Sequence, residues 1–163
     1  MKIPVAVLES HGLRPKYIPY TFQRLPKKGR SRFLHLLRSL ERLSTTGGCY
    51  LLFSEDLDVV LGAAHVVLKT AAALRQKYQF LGVPEATDHL IGGTFDELLG
   101  SGTLALDATA SSYNRLEVRT AADLLKRRYE QNRLTVVASC RARDEIPFDL
   151  PSSVTSCALG AQR

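Results

Sequence analysis

The sequence predicts one α/β domain with a mostly parallel sheet covered by helices on both faces. Short apolar runs alternate with helical stretches along the chain, the order expected of strand–helix–strand units. The runs are apolar throughout rather than at every second residue, as in strands buried on both faces. At 163 residues, 45% hydrophobic and 23% charged, the chain is long enough and apolar enough to bury one proper core.

His11 to Arg30 contains Pro15, Pro19, Pro26 and Gly29 and reads as an extended arm. Tyr17, Tyr20 and Phe22 alternate there with Arg14, Lys16, Arg24 and Lys27. Such aromatics suit either stacking on bases or pinning the arm to the domain, and pinning is the commoner use. Ser31 to Leu43 reads as an amphipathic helix capped by Ser31, with Phe33, Leu36, Leu37, Leu40 and Leu43 inward and His35, Arg38 and Arg42 outward. Gly47-Gly48 ends it, and Cys49 to Phe53 is the first strand. Val59 to Lys77, rich in Ala and Leu, is a helix packed on the sheet. Tyr78 to Val83 is the second strand, and Pro84-Glu85 starts a short helix. Gly92, Gly93, Gly100 and Gly102 mark a flexible connection around Phe95 to Leu99. Thr103 to Asp107 is the third strand. Asn114 and Glu117 cap a helix with the stripe Val118, Ala121, Ala122, Leu125 and Tyr129. In the run Lys126-Arg127-Arg128 the cations read as a solvated face. Leu134 to Ala138 is the fourth strand, with a last weak one near Val154.

Charge divides the chain into a basic arm and helix, 1–45, and an α/β core, 46–163, within one compact domain. Residues 1–45 carry ten Lys/Arg against Glu9 and Glu41, a net +8, while the remaining 12 Lys/Arg face 14 Asp/Glu. A basic segment on a near-neutral body is a footprint for nucleic acid or for an acidic protein surface. Its candidate contacts are Arg14, Lys16, Arg24, Lys27, Lys28, Arg30, Arg32, Arg38 and Arg42.

Cys49, Cys140 and Cys157 are odd in number and lack a metal spacing, which points to reduced thiols in a cytoplasmic protein. The N-terminal apolar stretch is too short for a signal peptide, and Val59 to Leu68 is too short and too interrupted to span a membrane. His11, His35, His65 and His89 pair with no carboxylate or cysteine at a ligand spacing, so no metal is expected. His65, in an apolar helix, reads as a hydrogen-bonded core residue. Ser111-Ser112 and Ser152-Ser153 carry no nucleophile signature.

From about Gly12 to Val154 the order of segments resembles the AAA+ domain of bacterial helicase loaders and transposition helpers (DnaC/IstB type). The lead-in Gly12 to Tyr17 with Tyr20-Thr21-Phe22, the strand Gly48 to Phe53, the stretch Phe80 to Glu85, the strand Leu104 to Asp107 and above all Ala121 to Cys140 carry the likeness. The resemblance implies a P-loop NTPase core with its phosphate loop at Ser54 to Leu61, a Walker B acid at Asp107 and sensor 1 at Cys140.

The chemistry is missing at each place. Phosphate binding needs glycines, a lysine and a Mg²⁺-binding hydroxyl. This chain has Ser54, Glu55, Asp56 and Asp58 in the loop, with Val60 and Leu61 where the lysine and hydroxyl belong. Ala108 follows Asp107 in place of a second acid, Cys140 stands where the family has Asn, and Ser156-Cys157-Ala158 lacks the arginine finger. The expectation is therefore a non-catalytic relative, a pseudo-ATPase without cofactor. It would bind DNA, single- or double-stranded, in replication, transposition or mobile-element maintenance. The alternative is a regulatory partner of a helicase or AAA+ subunit that makes no direct contact with DNA.

Overall fold

The five apolar runs do pair side by side. In the computed structural model, which describes residues 2–161, β1 (Gly48–Phe53), β2 (Tyr78–Gly82), β3 (Thr103–Asp107), β4 (Leu134–Ser139) and β5 (Thr155–Ala158) form one sheet in the order β2-β3-β4-β1-β5. Every pairing is parallel. β3 and β4 are buried along their whole length, which is why their sequence shows no alternation. Met1 and residues 162–163, at the outer ends of the two charge-defined divisions, lie outside the described residues.

Alternate strand residues face two separate cores. Leu52, Phe80, Ala105, Val136 and Ala138 pack beneath α2 (Arg30–Thr46), α3 (Leu57–Ala73) and the N-terminal segment. Leu51, Leu81, Leu104, Leu106 and Val137 pack beneath α4 (Val83–Ile91), α5 (Phe95–Gly100) and α6 (Arg115–Glu130). The Asn114–Glu117 capping box forms as the sequence predicts. Cys49 and Cys157 fill core space, and burial pushes their thiols up, to about 12 and about 11.

Four expectations change. Residues 11–30 do not project as an extended arm: Leu13, Tyr17, Tyr20 and Leu25 are buried in the α2–α3 core, a 3-10 turn forms at Phe22–Arg24, and α1 (Val5–Ser10) precedes the segment. α2 starts at Arg30 rather than being capped by Ser31. Its N-cap is Gly29, whose φ of 82° brings it against the Ala158 carbonyl, where a Cβ would stand at 2.0 Å. The glycine-rich connection encloses α5, with Phe95, Leu98 and Leu99 buried at helical spacing.

Arg128 leaves the solvated face altogether. It is fully buried, while Tyr129 of the expected stripe is partly exposed. The Arg128 guanidinium donates to the carbonyls of Leu98 (2.5 Å), Ser101 (3.0 Å), Gly102 (2.5 Å) and Leu134 (2.8 Å), and its Nε to Thr135 Oγ1 (2.8 Å). It thus fastens the α5–β3 connection to the start of β4. Burial without a facing carboxylate lowers its pKa to about 9.

Candidate functional site

In open parallel sheets, ligands lie beyond the carboxyl ends of the strands. Ser54 to Asp56 joins β1 to α3 there, a loop of three residues, because α3 begins at Leu57, earlier than the sequence suggests. The loop is closed on itself. Ser54 is fully buried; its N–H donates to the Ser139 carbonyl (3.3 Å), its hydroxyl donates to the Gly160 carbonyl (3.3 Å) and accepts from Asp56 N–H (3.1 Å). Asp56 caps α3, its Oδ1 accepting from the N–H groups of Asp58 (3.0 Å) and Val59 (3.3 Å). Glu55 is exposed, and the side chains of Val60 and Leu61 are buried in the core.

The segment before β1 lies across this end of the molecule. The Arg14 guanidinium meets the Asp107 carboxylate at 2.7 Å and sits 5.0 Å from the Phe80 ring centroid. The other Asp107 oxygen accepts from Thr109 N–H (2.9 Å) and from the Thr109 hydroxyl (2.5 Å). Lys16 Nζ (2.7 Å) and the Tyr17 hydroxyl (2.8 Å) both donate to Asp58 Oδ1. Lys16 first, then Tyr17, holds the Asp58 carboxyl below its ordinary range. The same hydrogen bond to Asp58 raises Lys16, whereas Tyr17 is raised first by burial and then by Asp58. Cys140 follows β4 half-buried, its thiol raised by burial and then by the charges of Asp107 and Asp56.

One stripe of α3 holds the segment in place. Asp58, Gly62, His65 and Lys69 recur at helical spacing. His65 Nε2 accepts from Arg14 N–H (2.9 Å), while its Nδ1–H donates to the Leu61 carbonyl (2.8 Å), which sets the tautomer. Its pKa falls to about 4, chiefly through burial, with the Leu61 bond opposing and the charges of Arg14 and Lys69 adding. Lys69 Nζ donates to the carbonyls of Ile18 (2.6 Å) and Tyr20, and the Tyr20 ring rests on Gly62. The sequence reading placed His65 in the core but missed the stripe. Its signal was polar residues recurring at 58, 65 and 69 on an otherwise apolar helix.

A nucleoside triphosphate with Mg²⁺ needs open amides at the helix start, a nearby lysine and a metal-binding hydroxyl. Here Asp56 takes the amides, Asp58 adds a second carboxylate, and Arg14 occupies Asp107. The residues present do not fit that group. Among the described residues no cluster of His, Cys, Asp and Glu suits a metal ion, and no helix is long and apolar enough to cross a membrane.

The basic residues divide into two groups. Arg14 and Lys16 lie at the sheet's carboxyl end. The Arg30 guanidinium donates to the carbonyls of Gln23 (3.2 Å) and Leu25 and lies 5.6 Å from the Phe22 ring centroid. Lys27, Lys28, Arg32, Arg38 and Arg42 are exposed before and along α2, and Arg24 is exposed on the 3-10 turn.

No family model and no curated protein matches the chain. Solved structures do match. The chain is similar to the replication initiator DnaA bound to AMPPCP and single-stranded DNA, with a TM-score of 0.64, 13% identity, and coverage of 93% of this chain and 52% of that one. It is also similar to DnaI (0.65, 15%, 83% and 79%) and to the DnaC helicase loader (0.60, 15%, 80% and 82%). The chain thus spans about half the length of the DnaA structure. At these identities the shared property is the fold, a five-stranded all-parallel sheet between helical layers of the AAA+ P-loop NTPase kind.

Proposed function

We propose that this chain is a non-catalytic accessory factor of the helicase-loader kind, a pseudo-ATPase that binds DNA during replication, transposition or mobile-element maintenance. One observation carries the loss of catalysis: the chain's own Arg14 neutralises Asp107 while Asp56 consumes the first amides of α3. With Asp58 beside them, a polyphosphate would meet like charge where it needs donors. Mg-ATP titrated into the protein should give no binding heat. A sub-millimolar response that disappears in Asp107→Asn would overturn this reading.

DNA binding rests on the exposed cations of Lys27, Lys28, Arg32, Arg38 and Arg42, for which no ion pair is found among the described residues. Such cations release counterions from a phosphate backbone, so affinity should fall steeply with salt. Lys27→Glu with Lys28→Glu should weaken DNA retention, and Arg30 is spared because it braces the segment around Leu25. Absence of DNA binding at low salt, with co-purification of a helicase or AAA+ ATPase, would replace DNA by a protein partner that carries the ATP-dependent step.

A further inference from the structure

Between α2 and the edge of the sheet at β5 run two adjoining depressions of about 580 and 330 Å³. They share Tyr50 and Thr155, so they form one groove with Tyr50 at its middle. Ser31, Arg32 and His35 line one end, Tyr129 stands at the other, and no Asp or Glu lines either part. Tyr50 is partly buried on β1, packed against the α2–α3 core and lining both depressions, and its hydroxyl has no hydrogen-bond partner among the described residues. An aromatic ring flanked by one cation, Arg32, and by hydroxyls, without a carboxylate, suits a nucleotide whose base stacks while its phosphate meets the cation.

We propose that this groove holds single-stranded DNA, with Tyr50 as the stacking platform and Arg32 as a phosphate contact. The inference rests on the DNA-binding reading above and adds the strand, the place and the residues. An unpaired strand can present a free base face to Tyr50, whereas bases stacked within a duplex cannot. Ser31 and Thr155 supply further hydroxyl partners along the backbone path.

The test uses the full chain and fluorescein-labelled oligothymidine, followed by anisotropy. Tyr50→Leu should weaken binding roughly ten- to hundredfold without changing the salt slope. Tyr50→Phe should keep the affinity, since the ring face remains. The chain has no Trp, so its intrinsic emission comes from tyrosine; quenching on binding should diminish in Tyr50→Phe. Arg32→Gln, an exposed change that carries the test should Tyr50→Leu fail to fold, should lower the salt slope by about 0.7. Unchanged affinity in folded Tyr50→Leu, or an unchanged slope in Arg32→Gln, would overturn the groove while wild-type binding still upheld the DNA reading. No wild-type binding at low salt would overturn both.

Discussion

Along α3 the basic side chains of the N-terminal segment, and Lys69 of the helix itself, meet carboxylates and carbonyls. Before and along α2, Arg30 apart, the same residue types face solvent. Arg14 and Lys16 pair with Asp107 and Asp58, and Lys69 grips two carbonyls of the segment. Lys27, Lys28, Arg32, Arg38 and Arg42 are exposed. The difference teaches that a net charge says little about a partner until the cations already used inside the fold are set aside. The first group closes the end of the sheet where a nucleotide would bind, and the second leaves an electrostatic surface available. The two groups therefore respond to mutation in different currencies, stability for one and affinity for the other.

The most internal cation should matter most. Arg128→Met strands the buried carbonyls of Leu98, Gly102 and Leu134 and should cost about 3–5 kcal/mol, read as a lowered urea midpoint. A loss below about 1 kcal/mol would show that these carbonyls find other donors.

Next comes His65. Its folded pKa, near 4, lies below the unfolded value of about 6.5. The unfolded chain therefore takes up a proton that the folded chain resists, and stability is lost as pH falls from about 6.5 to about 4. The loss approaches about 3 kcal/mol by the foot of that window. His65→Gln, measured by denaturant titration from pH 7 to pH 4, should flatten the profile there. An equally steep profile would assign the pH response to other groups.

Gly62→Ala tests the contact between α3 and the segment without touching a charge. A Cβ at this position would lie 2.6 Å from the Tyr20 ring, so about 1–3 kcal/mol should be lost and the segment should become open to protease. The smallest effect on stability belongs to Lys27→Glu with Lys28→Glu, within about 0.5 kcal/mol, although the same pair should weaken DNA retention. Destabilisation by this pair beyond that range would break the division drawn here.

The sheet was legible because strands buried on both faces must be apolar runs, and Leu134 to Ala138 could be little else. The capping box was legible because its two partners lie three residues apart. α1 and α5 escaped notice because six residues hold less than two turns of pattern. Arg128 was hidden among its neighbours: Lys126, Arg127 and Arg128 differ only in which side of α6 they occupy. At the site, the sequence showed acids where donors are needed. It did not show that Asp56 caps its own helix or that Arg14 reaches Asp107, since one depends on where α3 begins and the other joins residues far apart in the chain.

The route of residues 11–30 has a consequence for how the chain is made. Gly12, at φ 87°, lies against the Phe80 carbonyl, and Phe80 N–H donates to the carbonyl of His11 (2.9 Å). Further along the same segment, the Lys28 carbonyl accepts from Gly160 N–H (3.2 Å). The segment is therefore moored at two places far along the chain, residues 80 and 160. A chain folding as it is made can seat residues 11–20 on α3 and β2, but the turn at Lys28 only once Gly160 follows, and that contact closes a long loop. The groove beside Arg32 likewise needs Thr155 to Cys157 of β5, so a chain lacking that edge would present the cations of α2 with no groove beside them.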